Sequence, residues 1–182
     1  MARLKALCVV AHPDDCIIFA RPFIQWFSNF DWTILYLTYN EHDDRAKEVR
    51  NFWDSRNVET KFLGHVDDYR DMESKQLSFD SSRAAEQIQR EAANYDLLLT
   101  HNEDGEYGHI HHCFVHSCAS SVNVSKVYFS NYQKSNYVCN LKENLNLDEI
   151  PLHRDVVSQF SNINTCYYFV TEEAKGLVHG NT

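Results

Sequence analysis

Along the chain one order of hydrophobic and polar positions repeats: a short apolar run, a turn of polar residues, then a longer amphipathic stretch. Successive βα units around a parallel sheet leave this trace. Five runs predict strands, over residues 4–10, 32–38, 58–63, 95–100 and 124–130. The first, second and fourth are almost continuously hydrophobic, as a strand covered on both faces must be. Between the runs, apolar residues recur every three or four positions, which predicts helices over residues 15–28, 43–56, 81–94 and 109–121. Val49, Phe52 and Trp53 make such a stripe in the second of these.

After the fifth run the pattern weakens. Residues 131–146 are polar and Asn-rich and read as a loop or lid, 148–160 as a further helix, and 165–170 as a sixth, edge strand. The expected fold is α/β, with a mostly parallel central sheet of five or six strands. Because no repeat, Pro-rich linker or low-complexity block marks a boundary, a single domain over residues 1–182 is expected.

Composition narrows the partners. With 26 acidic against 17 basic residues and a net charge of −9, the chain lacks the basic surface that neutralising phosphates requires, so nucleic acid is not expected. The first apolar run is too short to span a bilayer and is followed by His-Pro-Asp-Asp rather than a cleavage site, so no membrane span is expected. Six cysteines without CxxC spacing suggest neither a zinc ribbon nor a disulfide framework, and reduced thiols point to a cytoplasmic location. Aromatic residues after the fifth run, Tyr128, Phe129, Tyr132 and Tyr137, read as core in preference to cleft. Whether subunits associate into a homo-oligomer is left open.

Candidate chemistry sits in two places. His12, Asp14 and Asp15 follow the first strand, where a dinucleotide-binding protein would carry a Gly-rich turn, so this turn suits a cation. Thr100 to His112 follows the fourth strand, and five of the ten histidines lie between positions 101 and 116. On a helix His109, His112 and His116 share one face, and His111 points away from it. Taken alone, each cluster also fits a capped turn or a solvated helix face. Their meeting at the carboxyl ends of two parallel strands is what selects a metal site. Catalytic zinc commonly takes three His and carboxylate ligands and acidifies a water, and a neighbouring carboxylate then serves as general base.

Ala11-His12-Pro13-Asp14-Asp15 together with Tyr107-Gly108-His109-Ile110-His111-His112 resembles the paired motifs of the LmbE-like, or PIG-L, family of zinc-dependent N-deacetylases. That resemblance spans roughly residues 4 to 130 and implies a Rossmann-like three-layer sandwich. It also implies that His12, Asp15 and His112 bind Zn2+ or another divalent transition metal, that Asp14 is the general base, and that His109 assists the leaving amine as an imidazolium. Tyr107 would donate to the oxyanion, and Arg45, from Arg45-Ala46-Lys47-Glu48, would contact substrate, an N-acetylated amino sugar or its conjugate. Two positions depart from the family: Cys16 replaces the usual Glu and His111 the usual Asp, which puts a supporting carboxylate in question. The departures keep open a non-catalytic glycan- or small-ligand-binding protein of the same fold. A two-metal phosphoesterase ranks last, since the motifs offer too few bridging carboxylates.

Overall fold

The computed structural model of the chain describes residues 3–130, 139–160 and 165–179. Its strands are β1 (Lys5–Val10), β2 (Asp31–Thr38), β3 (Glu59–His65), β4 (Leu97–Thr100), β5 (Ser125–Ser130), β6 (Cys139–Lys142) and β7 (Thr165–Val170). They form one seven-stranded sheet in the order β3-β2-β1-β4-β5-β7-β6. The first five run parallel, while β7 pairs antiparallel with β5 and β6. The helices are α1 (Arg21–Trp26), α2 (Asp44–Asp54), α3 (Arg70–Ser74), α4 (Ser81–Ala92), the single turn α5 (Gly105–Gly108), α6 (Ile110–Ser120), α7 (Arg154–Val157) and α8 (Glu172–His179).

Period-two alternation explains the layers. Ala6, Cys8 and Val10 of β1 face one core with Phe23 of α1 and Phe52 and Trp53 of α2. Leu7 and Val9 face the other, with Ala84 and Ile88 of α4 and Val115 of α6. Both faces of β1 are thus apolar, which accounts for its unbroken hydrophobic run. The mostly parallel α/β fold is as expected from the sequence, with one strand more than the upper expectation.

Three expectations for the later chain need correction. The strand β7 is not the edge: β6 lies outside it, within the stretch read as a loop. Four residues, Cys-Asn-Leu-Lys, carry too little alternation to stand out from Asn-rich flanks. The helix expected over 148–160 is broken into a 3-10 turn (Leu147–Glu149) and α7, because Pro151 drives Ile150 out of helical geometry, to φ −135° and ψ 56°. Residues 131–138, with Tyr132 and Tyr137, lie outside the described residues. Phe129 is core, as expected, at 1% exposure. No described helix is long and apolar enough to cross a membrane.

The helix predicted from residue 15 begins with one π-helical turn, Cys16–Ala20, before α1. Such turns widen the backbone where a site needs room. Strand β1 sits between β2 and β4, so the order reverses beside it, and the crevice at the carboxyl ends of β1 and β4 is where ligands collect in such sheets.

Candidate metal centre

Register brings the two motifs together. Val9 pairs with Thr100, so the first residues past the two strands, Ala11 and His101, emerge side by side, and the Ala11 N–H donates to His101 Nε2 at 3.1 Å. With Nε2 accepting, the His101 proton sits on Nδ1 and is donated to Glu106 Oε2 at 2.8 Å. The same Glu106 oxygen accepts His112 Nδ1–H at 2.6 Å, which leaves the lone pair of His112 on Nε2. Glu106 adopts φ 60° and ψ −57°, a strained conformation for a side-chain-bearing residue, and is held in it by Asn102 N–H on Oε1 at 2.9 Å. Gly105 beside it has φ +60°, and a Cβ there would meet Cys113 Sγ at 2.8 Å, so the turn can press against α6 only with glycine.

The three residues expected as ligands come together, and His109 also lies within ligating reach of His12 and His112. His112 Nε2 lies 3.3 Å from His12 Nδ1 and 3.3 Å from Asp15 Oδ1, and Asp15 Oδ2 lies 3.2 Å from His12 Nδ1. A tetrahedral zinc with bonds of about 2.0–2.1 Å needs donors about 3.3 Å apart. The Asp15 carboxylate is fixed by the His12 backbone N–H, which donates to Oδ2 at 2.7 Å. All three side chains are buried, at 7%, 2% and 0% exposure for His12, Asp15 and His112, so a convergence of acceptors here favours a cation. Burial lowers the His12 pKa, yet the Asp15 and Asp67 carboxylates hold it raised to about 10. His101, although within reach of the same cluster, spends its Nε2 on Ala11 and is a support rather than a donor.

Of the other expected residues, Asp14 and Arg45 pair with each other, and His109 and Tyr107 stand against the ligand imidazoles. Asp14, on the same loop, accepts from Arg45 Nη2 at 3.1 Å. Arg45 also donates through Nη1 to Tyr39 OH at 2.7 Å and through Nε to His153 Nε2 at 3.2 Å. Its neighbour Glu48 does not pair with it as a surface ion pair would; it accepts from His153 Nδ1 and from the Leu152 N–H at 2.7 Å. His109 caps α6 by accepting the His111 N–H on Nδ1 at 3.2 Å, so its own proton sits on Nε2. Its ring lies 4.6 Å from that of His12 and 4.7 Å from that of His112. Burial and the neighbouring His12 and His112 charges push its pKa down to about 3. Tyr107 stands at the mouth, 54% exposed, its ring 5.3 Å from that of His112.

Two histidines are not where helical spacing puts them. His116, expected on the ligand face, lies one turn beyond it and donates from Nδ1 to the His101 carbonyl at 2.9 Å. His111, expected to point away, is fully buried against His12, with His111 Nδ1 3.0 Å from His12 Nε2. The site surrounds the start of α6 rather than lying along one face, so residues 100° apart both reach it. Cys16 faces the core: Trp53 Nε1 donates to its sulfur at 3.0 Å, and burial pushes its pKa up to about 12, which makes it an inert thiol. Cys8, Cys16, Cys113, Cys118 and Cys166 are free thiols. Sequence reading passed over Glu106, His101, Tyr39, Asp67, Asp71 and His153. Only the spacing of His101 and Glu106 around the motif offered a signal, since the others come from separate segments.

A seven-stranded, mostly parallel α/β sheet with a His/Asp cluster at its switch point defines the class of protein. Residues 7–123 match the family model described as PIG-L, GlcNAc-PI de-N-acetylase, and the chain belongs to that family. It is 26% identical over 147 residues to Uncharacterized protein L374 of Acanthamoeba polyphaga mimivirus, a match covering 71% of this chain and 62% of that protein. The chain thus spans less than two thirds of that relative's length. Among solved structures it resembles the conserved protein TT1542 from Thermus thermophilus, with TM-score 0.59 and 12% identity over 92% of this chain and 94% of that one. It also resembles GalB, the 4-carboxy-2-hydroxymuconate hydratase of Pseudomonas putida KT2440, with TM-score 0.54 and 15% identity over 86% and 77% of the two chains. For the A40926 pseudoaglycone deacetylase Dbv21 the values are 0.53 and 12%, over 87% and 81%. At these identities the likeness is one of fold.

Proposed function

We propose that the chain is a metal-dependent N-deacetylase that removes an acetyl group from an amino sugar or its conjugate. The observation that carries this reading is the convergence of His12 Nδ1, the two carboxylate oxygens of Asp15 and His112 Nε2, at 3.2–3.3 Å. The family description, GlcNAc-PI de-N-acetylase, supports an N-acetylated amino sugar as the substrate class. His12, Asp15 and His112 would hold zinc or another divalent transition metal, which when bound supplies a Lewis acid and lowers the pKa of a water.

The surrounding residues divide the rest of the work. Asp14, with Oδ1 held by Arg45, takes the proton of the attacking water. The Tyr107 hydroxyl, at the mouth, donates to the acyl oxygen as negative charge grows on it. His109 carries its proton on Nε2 and donates a hydrogen bond from it toward the reacting amide, while the proton that Asp14 takes from water is the one passed to the departing amine. Donors aimed at charge that develops only in the transition state accelerate the reaction rather than tighten binding. Arg45 uses one N–H on each of its three nitrogens and keeps one on each terminal nitrogen for a polar group of the substrate.

A second reading, a glycan- or small-ligand-binding protein without catalysis, is favoured by one observation: the Arg45 guanidinium already pairs with the Asp14 carboxylate. GalB shows that the fold also serves a hydratase, so product, not binding, decides. The test is acetate release from N-acetylglucosamine conjugates by zinc-loaded chain. Release that is lost in Asp14→Asn while zinc is retained supports deacetylation. Binding of the conjugate without acetate selects the second reading, and a chelator-free preparation without stoichiometric transition metal overturns the metal centre.

A further inference from the structure

We propose that Asp71, acting through His111, fixes the tautomer of His12. The inference rests on the reading of His12 as a metal ligand. An imidazole that ligates through one nitrogen carries its proton on the other, and the group receiving that proton sets the ring's orientation and basicity.

For His12 the ligating nitrogen is Nδ1, which faces Asp15 and His112. Its Nε2 has two neighbours, His111 Nδ1 at 3.0 Å and Asp67 Oδ1 at 3.4 Å. The first is the shorter and lies within the usual reach of an N–H donor, about 2.7–3.2 Å, while Asp67 Oδ1 flanks the pair at 3.4 Å from His12 Nε2 and 3.7 Å from His111 Nδ1. His111 can accept at Nδ1 only if its own proton is on Nε2, and that atom lies 2.8 Å from Asp71 Oδ2. Asp71 is an acceptor only, and the same oxygen receives the Ser78 N–H at 3.0 Å and its hydroxyl at 3.1 Å. With the His12 Nε2 proton given to His111, every proton along this path has one direction, from His12 to His111 to Asp71. With His111 at 0% exposure and Asp71 at 3%, water has no access to substitute for either partner.

The backbone holds this arrangement in place. Asp71 lies in the first turn of α3, and the adjacent Met72 sulfur accepts the Ile110 N–H at 3.4 Å, which ties α3 to the start of α6. The result is a carboxylate–imidazole–imidazole relay, one ring longer than the direct carboxylate–histidine pair common behind metal ligands. The same neighbourhood offers a rival use: His12 Nε2, His111 Nδ1 and Asp67 could hold a second cation, in which case His12 Nε2 carries no proton.

Two measurements on the full chain test the relay. Long-range proton–nitrogen NMR of the 15N-labelled chain, with and without zinc, should show His111 as the Nε2–H tautomer and, in the zinc-loaded form, His12 with its proton on Nε2. This needs no variant. Zinc competition against a chromophoric chelator should give one equivalent per wild-type chain, with affinity weakened about 10- to 100-fold in Asp71→Asn and in His111→Phe. The double variant should be no weaker than His111→Phe, since both residues act along one path. A His111 proton on Nδ1, wild-type affinity in Asp71→Asn, or a second zinc lost on Asp67→Asn overturns the relay. A chain that binds no zinc overturns His12 as a ligand instead, and the His111 tautomer then still decides whether the link to Asp71 exists.

Discussion

At the floor of the site, His101, Glu106, His111 and His112 are closed off from solvent and each has a defined partner, whereas at the rim Tyr107 stands 54% exposed and Arg45 and His109 are half-buried. The contrast has a physical cause. A buried charge left without a partner is strongly destabilising, so the floor is held by several contacts per group. A rim group is solvated and keeps hydrogen-bonding capacity for a substrate. Changes at the floor should therefore appear as loss of metal and stability, and changes at the rim as loss of turnover or substrate affinity.

The largest effect is expected from the floor. His112→Ala removes one corner of the donor triangle and leaves the buried Glu106 with one imidazole fewer. Elemental analysis should find the zinc gone, and the zinc-dependent rise in melting temperature should vanish with it. In the wild type, zinc at 100 times its Kd should add about 2.7 kcal/mol of stability, which a chelator removes. Retention of stoichiometric zinc in the variant would remove His112 from the ligand set.

The rim gives the next largest effect. Asp14→Asn should lower kcat by about 10²–10⁴-fold with zinc content intact. Equal loss of zinc would show that Asp14 belongs to the floor and would erase the contrast between the two regions. Glu106→Gln, a floor change one bond removed from a ligand, should weaken zinc about 10- to 100-fold while kcat at saturating zinc stays within a few-fold. The smallest effect is expected from Glu48→Gln, which loosens His153, one of three partners of Arg45. It should raise KM by a few-fold, in line with about 0.5–1.5 kcal/mol for one hydrogen bond, and leave zinc affinity unchanged.

Much of this was legible in the residues. Continuous apolar runs marked the buried parallel strands, and His12, Asp15 and His112 converge as their motifs suggested. His111 was misread because a helical wheel assumes that a site lies along one face, and here it wraps the helix start. Asp67, Asp71 and His153 stayed hidden because each comes from a segment with no motif and reaches the site only through chain reversal. The β6 strand stayed hidden because four residues carry almost no periodicity.

The sequence by itself determined the strand and helix alternation and the donor types at the carboxyl edge of the sheet, since both depend on local pattern and spacing. Only the tertiary structure decided which polar group faces each histidine nitrogen. Those choices depend on distances of a few tenths of an ångström between segments as far apart as β1, α3 and α6, and no local rule encodes them.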